Sequence, residues 1–313
     1  MQTIIGAGGT IGLPLARELN RYTDRIRLVS RSPKKVNESD EPYPADVTDP
    51  SQIDGAVSGS QVVYVAVGFE YRLSVWQETW LPFVTGVVNA CKRHGSRLVF
   101  FDNVYMYDKS AMPCMTESSP VNAPSRKGRI RQQVHELIME EVGKSGLTAL
   151  IARSADFYGP MNRNSMLNIM AAENLVKGKK AQVFGGLDKV HTYTYTPDAA
   201  AATALLGNTD DAYGQVWHVP TTDERITQRQ WIRMIAEELG VQAKTQPVPR
   251  WMIKMLGLFV PVMREFPEML YQYENDYVFD SGKFEKRFGI KATKPAEGVR
   301  NLVAHLRKVG TRS

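Results

Sequence analysis

Gly6, Gly9 and Gly12 recur at every third position, directly after the apolar run Thr3-Ile4-Ile5. Behind them Ile11, Leu15 and Leu19 recur at every fourth residue. The first run predicts a strand and the second a helix with one buried stripe, with Pro14 in its first turn, where a missing N–H costs little. A second strand is predicted over Ile26–Val29. Strand, glycine turn, helix and strand are the parts of a phosphate-binding βαβ unit. Glycines let the backbone turn tightly and approach a pyrophosphate, and the helix N-terminus offers free N–H groups with a partial positive charge. A tight turn with no ligand is the plainer alternative.

The end of the second strand reads Leu28-Val29-Ser30-Arg31-Ser32-Pro33-Lys34-Lys35. An acid that would meet a ribose 2′-hydroxyl is missing there, and three cations stand in its place. Arg31 with a nearby lysine suits a 2′-phosphate, which accepts charge-assisted hydrogen bonds. This points to NADP(H) ahead of NAD(H), against the alternative of a solvated basic loop. Two further groups bear chemistry. Asn103, Tyr105 and Tyr107 follow the apolar run Arg97–Phe101 and share one face if the chain stays extended. Lys127, Arg129 and Arg131 open a predicted helix, where cations oppose the macrodipole, which hints at an anionic partner. Packing tyrosines and solvated cations are the respective alternatives. The five histidines and two cysteines show no ligand spacing, so no metal is expected.

The elements that must position these residues alternate along the first half of the chain. Strands are predicted at Pro44–Asp46, Gln61–Val67, Arg97–Phe101 and Leu147–Ala152, with helices around Ser74–Arg93 and Arg126–Val142. Such alternation predicts a Rossmann-type, doubly wound parallel sheet in the α/β class, with a smaller mixed α/β C-terminal lobe. The expected division is a dinucleotide-binding domain over 1–160, to which 197–220 returns, and a substrate-binding lobe over 161–196 and 221–313. In that lobe Thr227 and Gln230 form a capping-box pair opening a helix that Gly240 ends. Trp251, Met252, Met255, Leu256, Phe259 and Val260 make an apolar stripe, read as packing or as a lid.

Composition is that of an ordinary globular chain: 313 residues, 43% hydrophobic, with a net charge of +6. The cations are interleaved with acids, which argues against nucleic acid as partner and suits a phosphate-bearing cofactor. Two cysteines and no long apolar run lead to the expectation of a soluble cytoplasmic protein that does not enter membranes.

Gly6-Ala7-Gly8-Gly9-Thr10-Ile11-Gly12 resembles the cofactor turn of the extended short-chain dehydrogenase/reductases, the NAD-dependent epimerase/dehydratase family. Ala45-Asp46-Val47-Thr48-Asp49 resembles the family segment bordering the adenine, and Val65-Ala66-Val67-Gly68 the strand end beneath the nicotinamide ribose. Arg153-Ser154-Ala155-Asp156-Phe157-Tyr158-Gly159-Pro160 is similar to the family's Arg-x-x-Asn-x-Tyr-Gly-Pro. The resemblance covers essentially the whole chain. It implies a cofactor site of Gly6, Gly9, Thr10, Ile11, Gly12, Arg31, Asp46, Val47, Ala66, Val67, Gly68 and Arg131, an oxidoreductase or epimerase-like reaction on a small molecule, and a homodimer built on the helices near 78–93 and 126–142.

The family's chemistry is carried by a Ser or Thr, a Tyr and a Lys. In this chain Asn103 falls at the Ser/Thr position, Lys127 at the Tyr and Arg131 at the Lys. The resemblance therefore implies an atypical branch without the Tyr-x-x-x-Lys motif. One reading rebuilds the pair with its members exchanged: Tyr105 as proton donor, activated by Lys127, with Asn103 beside it and Arg131 serving phosphate or ribose. The other is a protein of the same fold that binds cofactor as a sensor and has lost turnover.

Overall fold

The computed structural model describes residues 1–259 and 261–310, and the chain divides into two compact units. The first comprises Met1–Met106, Val121–Arg153 and Ala199–Val219. It holds a sheet of β1 (Gln2–Ile5), β2 (Ile26–Ser30), β3 (Glu41–Pro44), β4 (Val62–Val65), β5 (Arg97–Asp102), β6 (Ala149–Arg153) and β10 (Val216–His218). The spatial order is β10-β6-β5-β4-β1-β2-β3, and every pair is parallel. Order and direction are those of the expected doubly wound fold, in which the chain leaves β1 to one side and crosses back to β4 on the other.

Burial explains the sequence runs. β4 is buried at all four positions, as a central strand covered on both faces must be. Among the helices are α1 (Gly12–Leu19), α2 (Pro50–Val57), α3 (Leu73–His94) and α4 (Arg126–Ser145). Leu15 and Leu19 of α1 are fully buried and Ile11, just before it, nearly so. Ile130, Val134 and Ile138 of α4 join the core around β5 and β6. That stripe packs inside its own unit. The third strand begins three residues earlier than the Pro44–Asp46 segment expected of it. It is an edge strand paired only with β2, and Pro42 and Pro44 are tolerated there because an edge needs only one ladder.

The second unit comprises Tyr107–Pro120, Ser154–Asp198 and Pro220–Ser313. It contains two parallel pairs, β7 (Asp156–Tyr158) with β9 (Tyr193–Tyr195), and β8 (Ala181–Phe184) with β11 (Thr245–Val248). Helices α5 (Glu173–Val176), α7 (Gln228–Leu239), α8 (Arg250–Leu256), α9 (Tyr271–Glu274), α10 (Gly282–Phe288) and α11 (Pro295–Gly310) belong to it, and α6 (Thr196–Gly207) starts in it and runs on into the first unit. The capping box is present as expected: Thr227 accepts from the Gln230 N–H, the Gln230 side chain accepts from the Thr227 N–H, and Gly240 closes α7 in the left-handed region. In the apolar stripe after Pro249, Ile253 is buried while Trp251, Met255 and Phe259 are exposed, and Val260 lies outside the described residues. Among the described residues no helix is long and apolar enough to cross a membrane.

Candidate active site

The glycine turn sits at the carboxyl end of β1. The Gly6 and Ala7 N–H groups both donate to the Val29 carbonyl, and Gly9 N–H folds back onto the Gly6 carbonyl at 3.0 Å. Gly6 has φ +94°, a conformation that side chains disfavour, and a Cβ there would lie 2.6 Å from the Ala66 oxygen. A Cβ on Gly12 would run into the Gly6 carbonyl oxygen. These two glycines are thus required by the protein's own backbone. Gly9 differs: its nearest neighbours are carbonyl oxygens at 3.2 and 3.5 Å, and it is exposed. Among the described residues the amides of Thr10, Ile11 and Gly12 donate to no protein group, and Ile11 provides no side-chain cap. The head of α1 therefore presents unsatisfied donors with the positive end of the helix dipole behind them.

The other residues expected at a cofactor follow the ends of β2, β3 and β4. Ala66 and Val67 are half-buried past the end of β4, and Gly68 is exposed with open space around it. Arg31 is exposed directly after β2. Asp46 caps its own turn: its Oδ1 accepts from the Thr48 N–H at 2.9 Å and the Thr48 hydroxyl at 2.7 Å. Those bonds, with a smaller contribution from Arg31, hold its carboxyl below the ordinary range. Val47 is half-buried beside the sheet core.

The expected catalytic residues are arranged differently from the sequence expectation. β5 stops at Asp102, and the chain then turns. Asp102 Oδ1 accepts the Asn103 N–H at 2.8 Å, and Asn103 Oδ1 accepts the Tyr105 N–H at 3.0 Å. This Asx-type turn removes the extended backbone that would have set Asn103, Tyr105 and Tyr107 on one face, and Tyr107 falls in the second unit. Tyr105 lies on the Trp76 ring at a centroid distance of 6.3 Å and an angle of 18°. Lys127 is fully buried, its ammonium 4.8 Å from the centroid of the Tyr71 ring. Gly128 follows it with no room for a side chain, since a Cβ would meet the Tyr105 carbonyl oxygen, and Ser125 caps α4 by accepting the Gly128 N–H. Tyr71 did not stand out in the sequence, because a single tyrosine between strand and helix carries no periodic signal.

Arg131 is directed inward. Its Nε donates to Asp102 Oδ1 at 2.8 Å, its guanidinium lies 4.1 Å from the Trp80 ring, and 2% of it is exposed. Arg131, expected at phosphate or ribose, here forms an internal ion pair with Asp102. Arg153 adds a second cation, 3.7 Å from Asp102 Oδ2 and 3.2 Å from His135 Nδ1. Burial and then Arg153 push the His135 pKa down to about 4, so the ring is neutral at ordinary pH. Of the cations expected to face an anion at the head of α4, Lys127 and Arg131 are buried and Arg129 is exposed.

Residues 3–219 match the NAD dependent epimerase/dehydratase family. The chain belongs to that family. It is 25% identical over 293 residues to a 3beta-hydroxysteroid-dehydrogenase/decarboxylase (isoform 2) of Arabidopsis thaliana, covering 83% of this chain and 50% of that protein. It thus spans half the length of that relative. To a UDP-D-apiose/UDP-D-xylose synthase of Oryza sativa subsp. japonica it is 22% identical over 302 residues, covering 80% of this chain and 76% of the synthase. Among solved structures, Thermus thermophilus UDP-glucose 4-epimerase in complex with NAD superposes with TM-score 0.78 at 19% identity, covering 98% of this chain and 99% of the epimerase. MoeE5 in complex with UDP-glucose and NAD gives 0.80 at 17%, again covering 98% and 99%. These structural likenesses establish the Rossmann-type fold.

Proposed function

We propose that the chain is a nicotinamide-dinucleotide enzyme, an oxidoreductase or epimerase-like protein acting on a small molecule, and that it takes NADP(H) in preference to NAD(H). The observation that supports the cofactor most directly is the set of unsatisfied amides at Thr10, Ile11 and Gly12, next to a glycine turn that the backbone itself requires. Family membership and the NAD named in the complexes above support the same reading. The first unit would be the cofactor-binding part and the second would contribute to substrate binding. Cys91, buried, and Cys114, exposed, are both free thiols, in keeping with a reducing compartment.

Arg31 supports NADP(H). A 2′-phosphate meeting this exposed guanidinium gains a charge-assisted bond of roughly 1.5–3 kcal/mol, about ten- to a hundredfold in affinity. Titration of both reduced cofactors, followed by their fluorescence, should give that ratio for the native protein and near-equal affinities for Arg31→Ala. Equal affinities in the native protein, or a preference untouched by the substitution, would remove the NADP(H) assignment.

For the chemistry we propose that a phenol next to Lys127 moves the proton. Tyr71 lies under the ammonium, and Tyr105 follows Asn103 by two residues. A neighbouring cation favours the phenolate, which is what a proton donor near pH 7 requires. Against a panel of carbonyl substrates, with NADPH absorbance as readout, Tyr71→Phe or Tyr105→Phe should lower kcat about a hundredfold or more. Full activity in both variants would reject the proton-transfer role. The second reading, a cofactor-binding sensor without turnover, draws on the burial of Lys127 and Arg131, and NADPH binding with no oxidation across the panel would favour it.

A further inference from the structure

The second unit contains a carboxylate held in an unusual way. Asp156 opens β7, and its Oδ2 is 3.0 Å from His191 Nε2 and 3.0 Å from the Tyr273 hydroxyl oxygen. Its N–H donates to the Tyr277 hydroxyl at 3.2 Å. His191 has no exposed surface, stacked on Tyr273 at 9° and on Tyr277 at 6°, with Tyr193 against it. The Trp231 indole N–H in turn donates to the His191 carbonyl. One carboxylate oxygen is thus fixed by two donors on a stacked aromatic support.

The other oxygen is left open. Among the described residues Asp156 Oδ1 accepts no hydrogen bond, and the side chain retains 19% of its exposure. Two other carboxylates of the chain, Asp40 and Asp198, use both oxygens. Asp40 Oδ2 accepts from the Val36 and Asn37 amides while its Oδ1 accepts from the Asn37 side chain. Asp198 takes the Thr293 N–H on Oδ2 and the Thr293 hydroxyl on Oδ1.

The contact with His191 also fixes the direction of the hydrogen bond. Among the described residues the buried His191 Nδ1 has no hydrogen-bond partner. The hydrogen-bond pattern therefore assigns the tautomer with the proton on Nε2, donated to Asp156, and a bare lone pair on Nδ1. Oδ1 is the carboxylate oxygen left without a donor on this partly exposed side chain.

We propose that Asp156 is a specificity-determining residue of the second unit, receiving a hydroxyl or ammonium group of a neutral or cationic ligand and excluding phosphate-bearing ones. A carboxylate oxygen accepts hydrogen bonds, cannot donate one when ionised, and repels an anion. This names the substrate class of the proposed enzyme and rests on that reading. It separates this chain from the UDP-glucose ligand named in the MoeE5 complex.

The test is calorimetric titration of UDP-glucose into the native protein and into Asp156→Asn, both saturated with NADPH. Asparagine keeps an oxygen for the His191 and Tyr273 donors while removing the charge. The expected result is binding to Asp156→Asn at least tenfold tighter than to the native protein, and Asp156→Ser provides the same comparison should the first variant not fold. A ratio below tenfold, or no binding by either form, overturns the proposal, because exclusion would then not be the work of this charge. NADPH affinity measured in the same samples keeps the outcomes apart. A protein that binds no cofactor counts against the proposed function, and the sugar-nucleotide ratio, then taken without cofactor, still reads Asp156 alone.

Discussion

Gly9→Val should abolish NADPH binding in a protein that remains folded. The turn around Gly9 leaves a new Cβ at 3.2 Å from the Gly6 oxygen and 3.5 Å from the Ala66 oxygen, close but within reach of small adjustments. The γ-carbons would then add bulk at an exposed position adjoining the Thr10, Ile11 and Gly12 amides in the chain. Those amides are the groups a pyrophosphate would bond, so the substitution blocks the ligand without requiring the sheet to move. The expected loss is at least about a hundredfold in affinity, near 2.7 kcal/mol. Gly12 could not serve for this experiment, because a Cβ there strikes the Gly6 backbone and damages the turn itself. The measurements are fluorescence titration with NADPH and thermal melting of the same sample. A melting temperature within a few degrees of native combined with unchanged affinity would show that the turn binds no phosphate.

This part of the molecule was legible because its signals are local. Glycine spacing, the Ile11-Leu15-Leu19 stripe and the apolar β4 run each depend on a few consecutive residues, and the fold repeats them in the expected order. The Thr227–Gln230 capping box was readable for the same reason. The third strand was displaced because its two prolines argue against a ladder, and nothing nearby says that the strand lies at an edge. β7 and β9 are three residues long, too short for alternation to show.

The chemistry was less legible, since it depends on which way the chain leaves a strand. Alternation beyond Phe101 assumed extended backbone, whereas Asp102 and Asn103 side chains capture the next amides and turn the chain. Lys127 was readable as a misplaced cation, but its position over Tyr71 joins residues 56 apart in sequence. Asp156 was visible only as an acid at an asparagine position, and the burial of His191 beside it requires the pairing of β7 with β9. A departure from a motif marks the place; tertiary contacts decide its meaning.

Asp102→Ala should cost roughly 3–5 kcal/mol of stability, the range for removing one partner of a buried ion pair. Asp102 is 3% exposed and is the counter-charge of Arg131, whose guanidinium is enclosed by Trp80 at 4.1 Å and Phe100 at 5.1 Å. Without the carboxylate, Arg131 would be a buried cation between two aromatic faces, and a cation–π contact offsets only about 2 kcal/mol of its desolvation. The nearby Arg153 charge adds repulsion once the shared acid is gone. Asp102 also receives the Asn103 N–H, so the turn carrying Tyr105 loosens with it. Urea unfolding should therefore show a large fall in midpoint for Asp102→Ala and a smaller one for Asp102→Asn, which keeps an acceptor but no charge. The double variant Asp102→Leu, Arg131→Met should recover part of the loss, because it removes the Arg131 charge together with its partner while Arg153 stays buried. If Asp102→Ala lies within about 1 kcal/mol of native, the size of an exposed pair, then solvent reaches Arg131 and the ion pair does not hold the end of β5. That outcome would also reopen Arg131 to a ligand, since a guanidinium released from Asp102 without cost is available to a phosphate.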